Sequence, residues 1–347
     1  MKIVVDLQER SYPIYIQKGI LDSISDYYNL NRKVLILTDS GVPQQYAETV
    51  LKQCQEGYVY CIAQGESSKN ITTYQEIVSY MLFAEFSRKD VIVALGGGVV
   101  GDLAGFVAST YMRGIDFINI PTTTLAQVDS SIGGKTAIDL GNVKNCIGSF
   151  YQPKAVFIDP NTLETLSMRH FYSGLVETLK SGAIYDKVLF ELLEHCVAKE
   201  QIEEILYRSL MVKKAVVEFD EKELGLRKIL NFGHTLGHAI EKLSDFGLSH
   251  GVCVGLGMVA ASYISYQCGN ISKEELEIIE DTIHKFGLLI RVDGYDADAV
   301  LLTSKSDKKM VGTKVKFILL EKPGIAYIYK ELTDEQILAG IRYVLLN

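Results

Sequence analysis

The stretch Val91-Ile-Val-Ala-Leu95, followed at once by Gly96-Gly97-Gly98-Val99-Val100-Gly101-Asp102, decides the fold of this chain. A short apolar run with β-branched residues is typical of a buried parallel strand. The three glycines permit a tight turn and let a ligand approach the backbone N–H groups closely. We therefore expect a helix to begin at Val99 or Val100, with Asp102 in its first turn and its positive N-terminal end facing a bound anion.

This glycine cluster differs from the usual dinucleotide fingerprint, because it stands at the fourth or fifth predicted strand and not at the first. Taken alone, it is also explained by a plain tight turn. Its neighbours favour a binding site: Thr122-Thr123-Thr124 follows a second apolar strand, and the segments Asp129 to Lys135 and Lys144-Asn145 come next. Hydroxyls, one carboxylate and two lysines on so short a length of chain suit an anionic ligand beside a dinucleotide.

The composition and charge exclude several classes of function. The chain has 347 residues, enough for one large or two ordinary domains, and 48% of them are hydrophobic. The formal net charge is −8 and no basic run occurs, so we expect no nucleic-acid partner. Charges interrupt the N-terminal segment and no apolar run reaches about 20 residues, so we expect neither a signal peptide nor a membrane span.

Six cysteines are scattered along the chain, at positions 54, 61, 146, 196, 253 and 268. They form no close pair and no metal-binding spacing. We interpret them as reduced thiols of the core, which predicts a cytoplasmic protein.

The first half of the chain reads as alternating strands and helices. Two strands, at 2–7 and 12–17, are predicted to pair as a hairpin. From Lys33 onward the βα alternation predicts a parallel sheet wound with helices. Asp39, Glu66 and Lys69 follow strand ends, where open α/β sheets bind their ligands. The predicted strands are 34–38, 58–63, 91–95, 117–120 and 155–158, with helices through 46–51 and 72–86.

Beyond Asp159-Pro160 helical periodicity takes over. We predict helices over 171–185, 188–197, 202–217, 229–243 and 252–266, a hairpin of 314–320 with 325–329, and a last helix from Asp334. The fold class is therefore α/β, with a Rossmann-like parallel-sheet domain over residues 1–160 and a mainly α-helical domain over residues 161–347.

A candidate metal site begins with Asn231-Phe-Gly-His-Thr-Leu-Gly-His238, which places two histidines on one face of a helix. The glutamate of His-Glu-x-x-His is absent, which disfavours metalloprotease chemistry. His250 follows shortly, and a solvated helix face would rarely hold three of only six histidines. Zinc prefers histidine and carboxylate ligands. The candidate acid is Glu177, because a carboxylate within an apolar helix is costly unless it has a partner.

Taken together, these segments, with Arg113-Gly114 and Glu177-x-x-Lys180, closely resemble the 3-dehydroquinate synthase family, in matching order over nearly the whole chain. The resemblance implies an NAD-binding α/β domain, a helical domain that binds a divalent metal, usually zinc with cobalt as a substitute, and a homodimer. It implies conversion of the seven-carbon keto acid phosphate 3-deoxy-D-arabino-heptulosonate 7-phosphate to 3-dehydroquinate and phosphate, in the shikimate pathway to chorismate and the aromatic amino acids. The implied steps are transient oxidation by NAD, β-elimination of phosphate, re-reduction, ring opening and aldol closure.

The resemblance also implies roles for individual residues. Zinc is expected on Glu177, His234 and His250, with His238 contacting the substrate. The expected NAD-binding residues are Asp39, Glu66, Lys69, Gly97, Gly98, Val99, Asp102, Thr122, Thr123, Leu125, Asp129, Ser130, Lys135, Lys144, Thr162, Thr165 and Leu166. The expected catalytic and substrate-binding residues are Asp129, Lys135, Asn145, Lys180, Lys213, Arg227, Asn231, His238, Lys308 (or Lys309) and, reaching the partner subunit's site, Arg113.

The chain departs from the family's sequence pattern at one segment, and three alternative functions stay open. The segment Val176-Glu177-Thr178-Leu179 stands where many relatives have Ala-Glu-Val-Ile, which leaves the metal ligand in place. An NAD- and metal-dependent polyol dehydrogenase would carry similar metal ligands but would need no phosphate-binding lysines. Another sugar-phosphate cyclase, making an inosose or a valiolone, would use the same ligands. A non-catalytic nucleotide-binding protein would need neither set.

Overall fold

The computed structural model of the chain describes residues 1–141, 143–245, 247–309, 316–329 and 331–346, and for 306–309 the backbone only. The chain forms two compact units. The first consists of Met1–Ser167 with Lys213–Glu218, and the second of Met168–Val212 with Phe219–Asn347.

The first unit is built on a seven-stranded sheet. Strand order is β1-β2-β9-β6-β5-β3-β4, and every neighbouring pair is parallel except β1 with β2, which form the predicted antiparallel hairpin. The predicted α/β class with a parallel sheet is confirmed. These strands are β1 (Lys2–Val5), β2 (Tyr12–Ile16), β3 (Lys33–Asp39), β4 (Glu56–Ile62), β5 (Val91–Gly96), β6 (Asp116–Pro121) and β9 (Val156–Ile158).

Helices cover both faces of this sheet, as the apolar strands require. They are α1 (Gln44–Leu51), α2 (Ile71–Phe83) and α3 (Gly98–Thr110). Alternate residues of β3 point to opposite faces: Leu35 and Leu37 belong to a core cluster with residues of α2 and α3, and Val34 and Ile36 to a second cluster with residues of α1. The sheet is therefore buried on both sides and holds the ends of its strands in fixed places.

A second, two-stranded sheet of the first unit was not predicted. Strands β7 (Lys135–Leu140) and β8 (Val143–Phe150) pair antiparallel, with Lys135 opposite Phe150. Most residues of β8 are exposed, so the strand lacks the apolar pattern by which the others were found. Lys135, Lys144 and Asn145 therefore lie on the strands of a hairpin.

The second unit is mainly helical, with a small antiparallel hairpin. One predicted helix, over 229–243, is wrong as a single element, because Gly233 has a left-handed φ of 78° and separates a 3-10 turn (Leu226–Asn231) from the helix that follows. The helices are α4 (Met168–Ile184), α5 (Lys187–His195), α6 (Ile202–Phe219), α7 (His234–Leu243), α8 (His250–Gln267), α9 (Lys273–Lys285), α10 (Ala297–Lys309) and α11 (Asp334–Val344), and the strands are β10 (Phe317–Lys322) and β11 (Ile325–Tyr329). Residues Lys213–Glu218 of α6 belong to the first unit.

The C-terminal part of the chain was predicted only in part. The last helix begins at Asp334 as predicted, with a capping box of Thr333 and Gln336. Helices α9 and α10 were not predicted. The predicted β10 residues 314 and 315 lie outside the described residues.

The six cysteines are free, but the expectation that they lie in the core is largely wrong. Cys253 is buried, whereas Cys61, Cys146 and Cys268 are exposed. Within the described part of the chain, no helix has both the length and the apolar character that crossing a membrane requires.

Candidate functional site

The glycine turn lies where the sequence predicted it, between the end of β5 and the start of α3. The helix begins at Gly98, one residue earlier than expected, and this places Asp102 in the second turn, a correction to the predicted first. A β-carbon added at Gly97 would lie 3.2 Å from Cγ2 of Thr123, and one added at Gly98 would lie 3.1 Å from Oγ of Ser130. The turn therefore presents backbone beside two hydroxyl side chains, in a space that larger residues would fill.

A buried ammonium group lies among several of the predicted cofactor-binding residues. Lys69 is 3% exposed, and its Nζ lies 2.8 Å from Oε1 of Glu66, 3.2 Å from Oδ2 of Asp102 and 2.7 Å from Oδ1 of Asn145. Burial opposes the charge of Lys69, but the carboxylates of Asp102 and Glu66 outweigh it and raise its pKa. Burial raises the pKa of Asp102 to about 6, although Lys69 acts in the opposite direction. One lysine thus joins a loop, helix α3 and the β7–β8 hairpin.

The β7–β8 hairpin carries three of the predicted phosphate- and substrate-binding residues. Lys135 begins β7, and Lys144 and Asn145 lie near the start of β8. Asn145 has a left-handed φ of 55°, and its backbone N–H donates to Oδ1 of Asp139 over 2.7 Å. That conformation turns the Asn145 side chain toward Lys69.

Two further predicted residues of the first unit form an ion pair. Nζ of Lys213 lies 2.8 Å from Oδ1 of Asp129 and also donates to the Asp129 carbonyl oxygen. Lys213 is 5% exposed, although it lies on α6 far along the chain from the sheet residues. The structure therefore brings together two residues that spacing alone did not connect.

The remaining predicted cofactor-binding positions differ in what their side chains can offer. Asp39 is the last residue of β3, and its Oδ1 accepts from the N–H of Gly41 over 2.8 Å. The hydroxyl of Thr165 lies 3.1 Å from that of Tyr46. Thr162 is 2% exposed, and its hydroxyl donates to the Asp159 carbonyl and lies 2.9 Å from Nε2 of Gln127, so the fold itself uses this group.

The second unit places the predicted metal ligands in one cluster. Glu177 on α4 is 2% exposed, and its Oε1 lies 3.4 Å from Nε2 of His234 and 3.5 Å from Nε2 of His250. Ligand atoms of these three residues all lie within 4.8 Å of one another. Lys180, one turn along the same helix, contacts Oε2 of Glu177. Two imidazole nitrogens facing one carboxylate oxygen form a donor set that fits zinc.

Close packing of α7 against α8 brings the two histidines together. His234 and His250 are the first residues of their helices, and their ring centroids are 5.6 Å apart. A β-carbon at Gly257 would lie 1.9 Å from the Gly233 carbonyl oxygen, and one at Gly237 would lie 2.7 Å from that of Cys253. Only glycine at positions 237 and 257 permits this helix contact, so these two residues help to bring His234 and His250 together.

Burial and neighbouring charges shift the pKa values of the three proposed ligands in different directions. Burial disfavours the charged form of Glu177, but Lys180 and the two histidines outweigh it and hold its pKa well below the ordinary range. Burial, with the Lys180 ammonium, lowers the pKa of His234 to about 3, so this ring is neutral and can donate a lone pair. For His250, burial is outweighed by hydrogen bonds to Glu177 and Glu241, which raise its pKa to about 9.

The other predicted substrate-binding residues are less tightly clustered. His238 is exposed one turn beyond His234, with ring centroids 5.1 Å apart. Arg227 is 2% exposed, and Nδ2 of Asn231 donates to Oε1 of Glu223 over 2.8 Å. Arg113 is exposed with a φ of 70°. The side chain of Lys308 lies outside the described residues.

Glu241 was not among the predicted site residues. Its Oε2 lies 3.3 Å from Nδ1 of His250, and it belongs to a second possible metal-binding group with His238 and His250. Its position three residues after His238 on the same helix was the available signal, since such residues are neighbours on a helix surface.

A glycine turn at the end of a parallel strand and a Glu–His–His group on three helices are together typical of a metal-dependent, dinucleotide-binding enzyme. Comparison with known proteins narrows this class. The family described as 3-dehydroquinate synthase N-terminal matches residues 59–173, and that described as 3-dehydroquinate synthase C-terminal matches residues 174–310. The chain belongs to the 3-dehydroquinate synthase family.

Individual relatives agree with this membership. A 3-dehydroquinate synthase of Acetivibrio thermocellus is 42% identical over 98% of both chains. A solved structure of 2-deoxy-scyllo-inosose synthase complexed with carbaglucose-6-phosphate, NAD+ and Co2+ is 26% identical, covers 99% of this chain and all 100% of its own, and superposes with a TM-score of 0.89. A 2-epi-5-epi-valiolone synthase from Streptomyces hygroscopicus subsp. jinggangensis, with NAD+ and Zn2+ bound, is 27% identical over 99% of both chains, also with a TM-score of 0.89.

Proposed function

We propose that this chain is a 3-dehydroquinate synthase, a carbon–oxygen lyase that converts 3-deoxy-D-arabino-heptulosonate 7-phosphate to 3-dehydroquinate and phosphate. The observation that carries the proposal is the 42% identity to a 3-dehydroquinate synthase over nearly the full length of both chains. The inosose and valiolone synthases share the fold at only 26% and 27% identity. The chain is therefore more similar in sequence to the 3-dehydroquinate synthase than to either of these two enzymes.

We propose that NAD binds the first unit at the glycine turn. The narrow space over Gly97 and Gly98, with the N-terminus of α3 behind it, fits a pyrophosphate that approaches the backbone. Gly98→Val should weaken NAD binding without unfolding the chain, and unchanged affinity in a folded variant would remove the turn from the site. The other residues proposed for this site are those predicted above, and residues 1–160 are the proposed NAD-binding domain.

We propose that Glu177, His234 and His250 hold one divalent ion, zinc or cobalt, in the helical domain over residues 161–347. Their donor atoms and mutual distances fit this ion, and the two similar solved structures contain Co2+ and Zn2+. When bound, NAD supplies a reversible hydride acceptor and the ion polarises a substrate hydroxyl, so that NAD is needed but not consumed.

The chain's own residues then bind the anionic substrate and stabilise its changing charge. Lys135, Asn145 and Arg227 are proposed to hold phosphate and carboxylate groups, since ammonium, amide and guanidinium donors suit these oxygens. Donors around the phosphate stabilise the negative charge that develops as this group leaves. Lys180, buried beside Glu177, places one more ammonium group beside the proposed metal ligands. The exposed ring of His238 is proposed to contact the substrate. Lys213, Asn231 and Lys308 complete the proposed set.

The test is to supply the seven-carbon phosphate with NAD and zinc, and to follow phosphate, 3-dehydroquinate and NADH together. We expect equal amounts of phosphate and 3-dehydroquinate with no net NADH. Net NADH from a polyol would instead indicate a dehydrogenase. Phosphate release from a hexose 6-phosphate, but not from the seven-carbon substrate, would indicate another sugar-phosphate cyclase.

We further propose a homodimer in which Arg113 reaches the phosphate of the partner subunit's site. Both Met112 and Arg113 have left-handed φ angles, of 52° and 70°, which non-glycine residues adopt at a cost. This backbone projects an exposed guanidinium from the end of α3, and a planar fork suits a phosphate.

Subunit complementation tests this arrangement. Arg113→Ala and Lys135→Ala should each be inactive alone, whereas a mixed dimer contains one site with both residues intact. Random exchange should restore up to about a quarter of the parent activity, by the pairing statistics of a two-fold dimer. Verified mixed dimers without activity would place Arg113 in its own chain's site or outside it.

We also propose a cytoplasmic location. The six cysteines are free, and three of them are exposed, which suits a reducing compartment. Detection of the protein in a fractionated cell would decide this point.

A further inference from the structure

The carboxylate of Glu241 lies against the side of His250 that faces away from Glu177. Its Oε2 is 3.3 Å from Nδ1 of His250, whereas Nε2 of the same ring lies 3.5 Å from Oε1 of Glu177. The Glu241 side chain is 11% exposed. Because an unpaired buried charge is unfavourable, a largely buried carboxylate is stabilised by such a partner.

We infer that Glu241 is a positioning residue, which accepts the Nδ1–H of His250 and thereby fixes Nε2 as the nitrogen that binds the metal. An imidazole that binds a metal has given up one proton and carries one N–H and one lone pair, so an acceptor at Nδ1 decides that Nε2 is the nitrogen left to the metal. The same contact holds the plane of the ring. This inference rests on the proposed metal-binding role of Glu177, His234 and His250.

The other proposed histidine ligand shows the same arrangement. Nδ1 of His234 lies 3.2 Å from the carbonyl oxygen of Phe232, and its Nε2 faces Glu177. Each histidine therefore meets an acceptor at Nδ1 and the shared carboxylate at Nε2. His234 uses a backbone acceptor within its own chain segment, whereas His250 depends on a side chain of another helix. A side-chain acceptor is open to test by substitution.

A competing arrangement makes Glu241 itself a ligand, together with His238 and His250. The first group is favoured because one oxygen of Glu177, 2% exposed, faces two Nε2 atoms within 3.5 Å. In the second group His238 is exposed, and the surrounding solvent weakens the electrostatic interaction between its ring and an ion. The two arrangements predict opposite effects of the same substitutions.

The experiment measures zinc affinity by competition with a chelator, without substrate or NAD. Glu241→Leu removes the acceptor and should weaken zinc binding by about 10–100-fold, while the protein still binds one ion per chain when zinc is in excess. Glu241→Gln keeps an oxygen near Nδ1 and should lose less affinity than the leucine variant. The visible spectrum of the cobalt-loaded glutamine variant should keep the parent's band pattern, because the ligand number is unchanged.

A matched control is available at the surface. Oε1 of Glu194 lies 3.6 Å from Nε2 of His195, whose side chain is 73% exposed. Glu194→Leu removes this exposed carboxylate–histidine contact, which involves none of the proposed ligands, and should leave zinc affinity unchanged. Melting of each metal-free variant checks that the chain is folded.

Three results would overturn the inference. If the parent binds zinc and Glu241→Leu binds it with the same affinity, His250 needs no acceptor at Nδ1. Loss of the ion in Glu241→Gln, with full binding in Glu177→Gln, would instead identify His238, Glu241 and His250 as the ligands. Failure of the parent itself to bind zinc would remove the metal from the proposed function, and with it this role of Glu241.

Discussion

Two buried charged clusters, one in each unit, have opposite designs. In the first unit a cation, Lys69, is surrounded by two carboxylates and an amide oxygen. In the second unit an anion, Glu177, is surrounded by an ammonium group and two imidazoles. Both central side chains are 3% or less exposed, so each must be compensated by its neighbours.

The difference lies in what the neighbours leave unused. An ammonium group has three N–H donors, and Lys69 has three acceptors at 2.7 to 3.2 Å. Its cluster is therefore complete, and its role is to hold together segments that carry the proposed cofactor-binding residues. The Glu177 cluster instead directs imidazole nitrogens at one carboxylate, an arrangement that a divalent ion completes. Similar burial thus gives a cluster that satisfies its own central charge in the first unit, and a cluster that a divalent ion completes in the second.

The largest effect that separates the two clusters concerns metal content. His250→Ala should lower bound zinc from one ion per chain to well below one, because a three-ligand site loses a ligand. Lys69→Met should keep the full amount. Elemental analysis after gel filtration measures both, and full zinc in His250→Ala would remove His250 from the ligand set.

Removal of the metal should destabilise the protein through the second cluster only. Binding to the folded state contributes about 4 kcal/mol when free zinc is a thousand times its dissociation constant. A chelator should therefore lower the melting temperature of the parent and of Lys69→Met alike. His234→Ala, which has little zinc to lose, should show almost no shift. Equal shifts in all three proteins would mean that the chelator acts elsewhere.

Loss of the central cation should destabilise the first unit. Lys69→Met leaves Glu66 and Asp102 without their shared counter-charge and Asn145 without its donor, at a cost of about 2–3 kcal/mol. Lys187→Met removes an exposed pair with Glu191, 3.4 Å long, and should change stability by less than about 0.5 kcal/mol. Denaturant unfolding measures both, and equal effects would show that the Lys69 cluster holds nothing together.

The smallest expected effect depends on pH. Burial raises the pKa of Asp102 to about 6, so between pH about 4 and 6 the folded state binds more protons than the unfolded state. Stability contributed by this group is therefore lost as pH rises through that window. The free energy of unfolding of Asp102→Asn, relative to that of the parent, should therefore rise by about 1–2 kcal/mol between pH 4 and 7. This range allows for an Asp102 side chain that is 22% exposed. A stability difference independent of pH would contradict the raised pKa.

Sequence periodicity predicted the parts of the fold that are buried. Strands β3 and β5 are continuous apolar runs, and their parallel pairing followed from the βα alternation. Strand β8 was missed because most of its residues are exposed. The helix break at Gly233 was missed because the apolar pattern continues across it, and only the φ of 78° reveals the turn.

Local sequence patterns likewise predicted some residues of the candidate site and not others. The proximity of His234 and His238 follows from helical spacing, and the lone acid in an apolar helix indicated Glu177. The contact of Lys69 with Asn145 joins residues 76 positions apart, and no local pattern encodes such a contact. Glu241 was missed because an acid on a helix surface usually faces water.

The most direct test of the contrast between the clusters is an anomalous difference map from crystals of the zinc-loaded protein, measured at the zinc absorption edge. The account predicts one peak per chain, bonded by Glu177, His234 and His250 at about 2.0–2.2 Å, and none beside Lys69. A peak bonded by His238 and Glu241 in place of Glu177 and His234, or no peak at all, would contradict it.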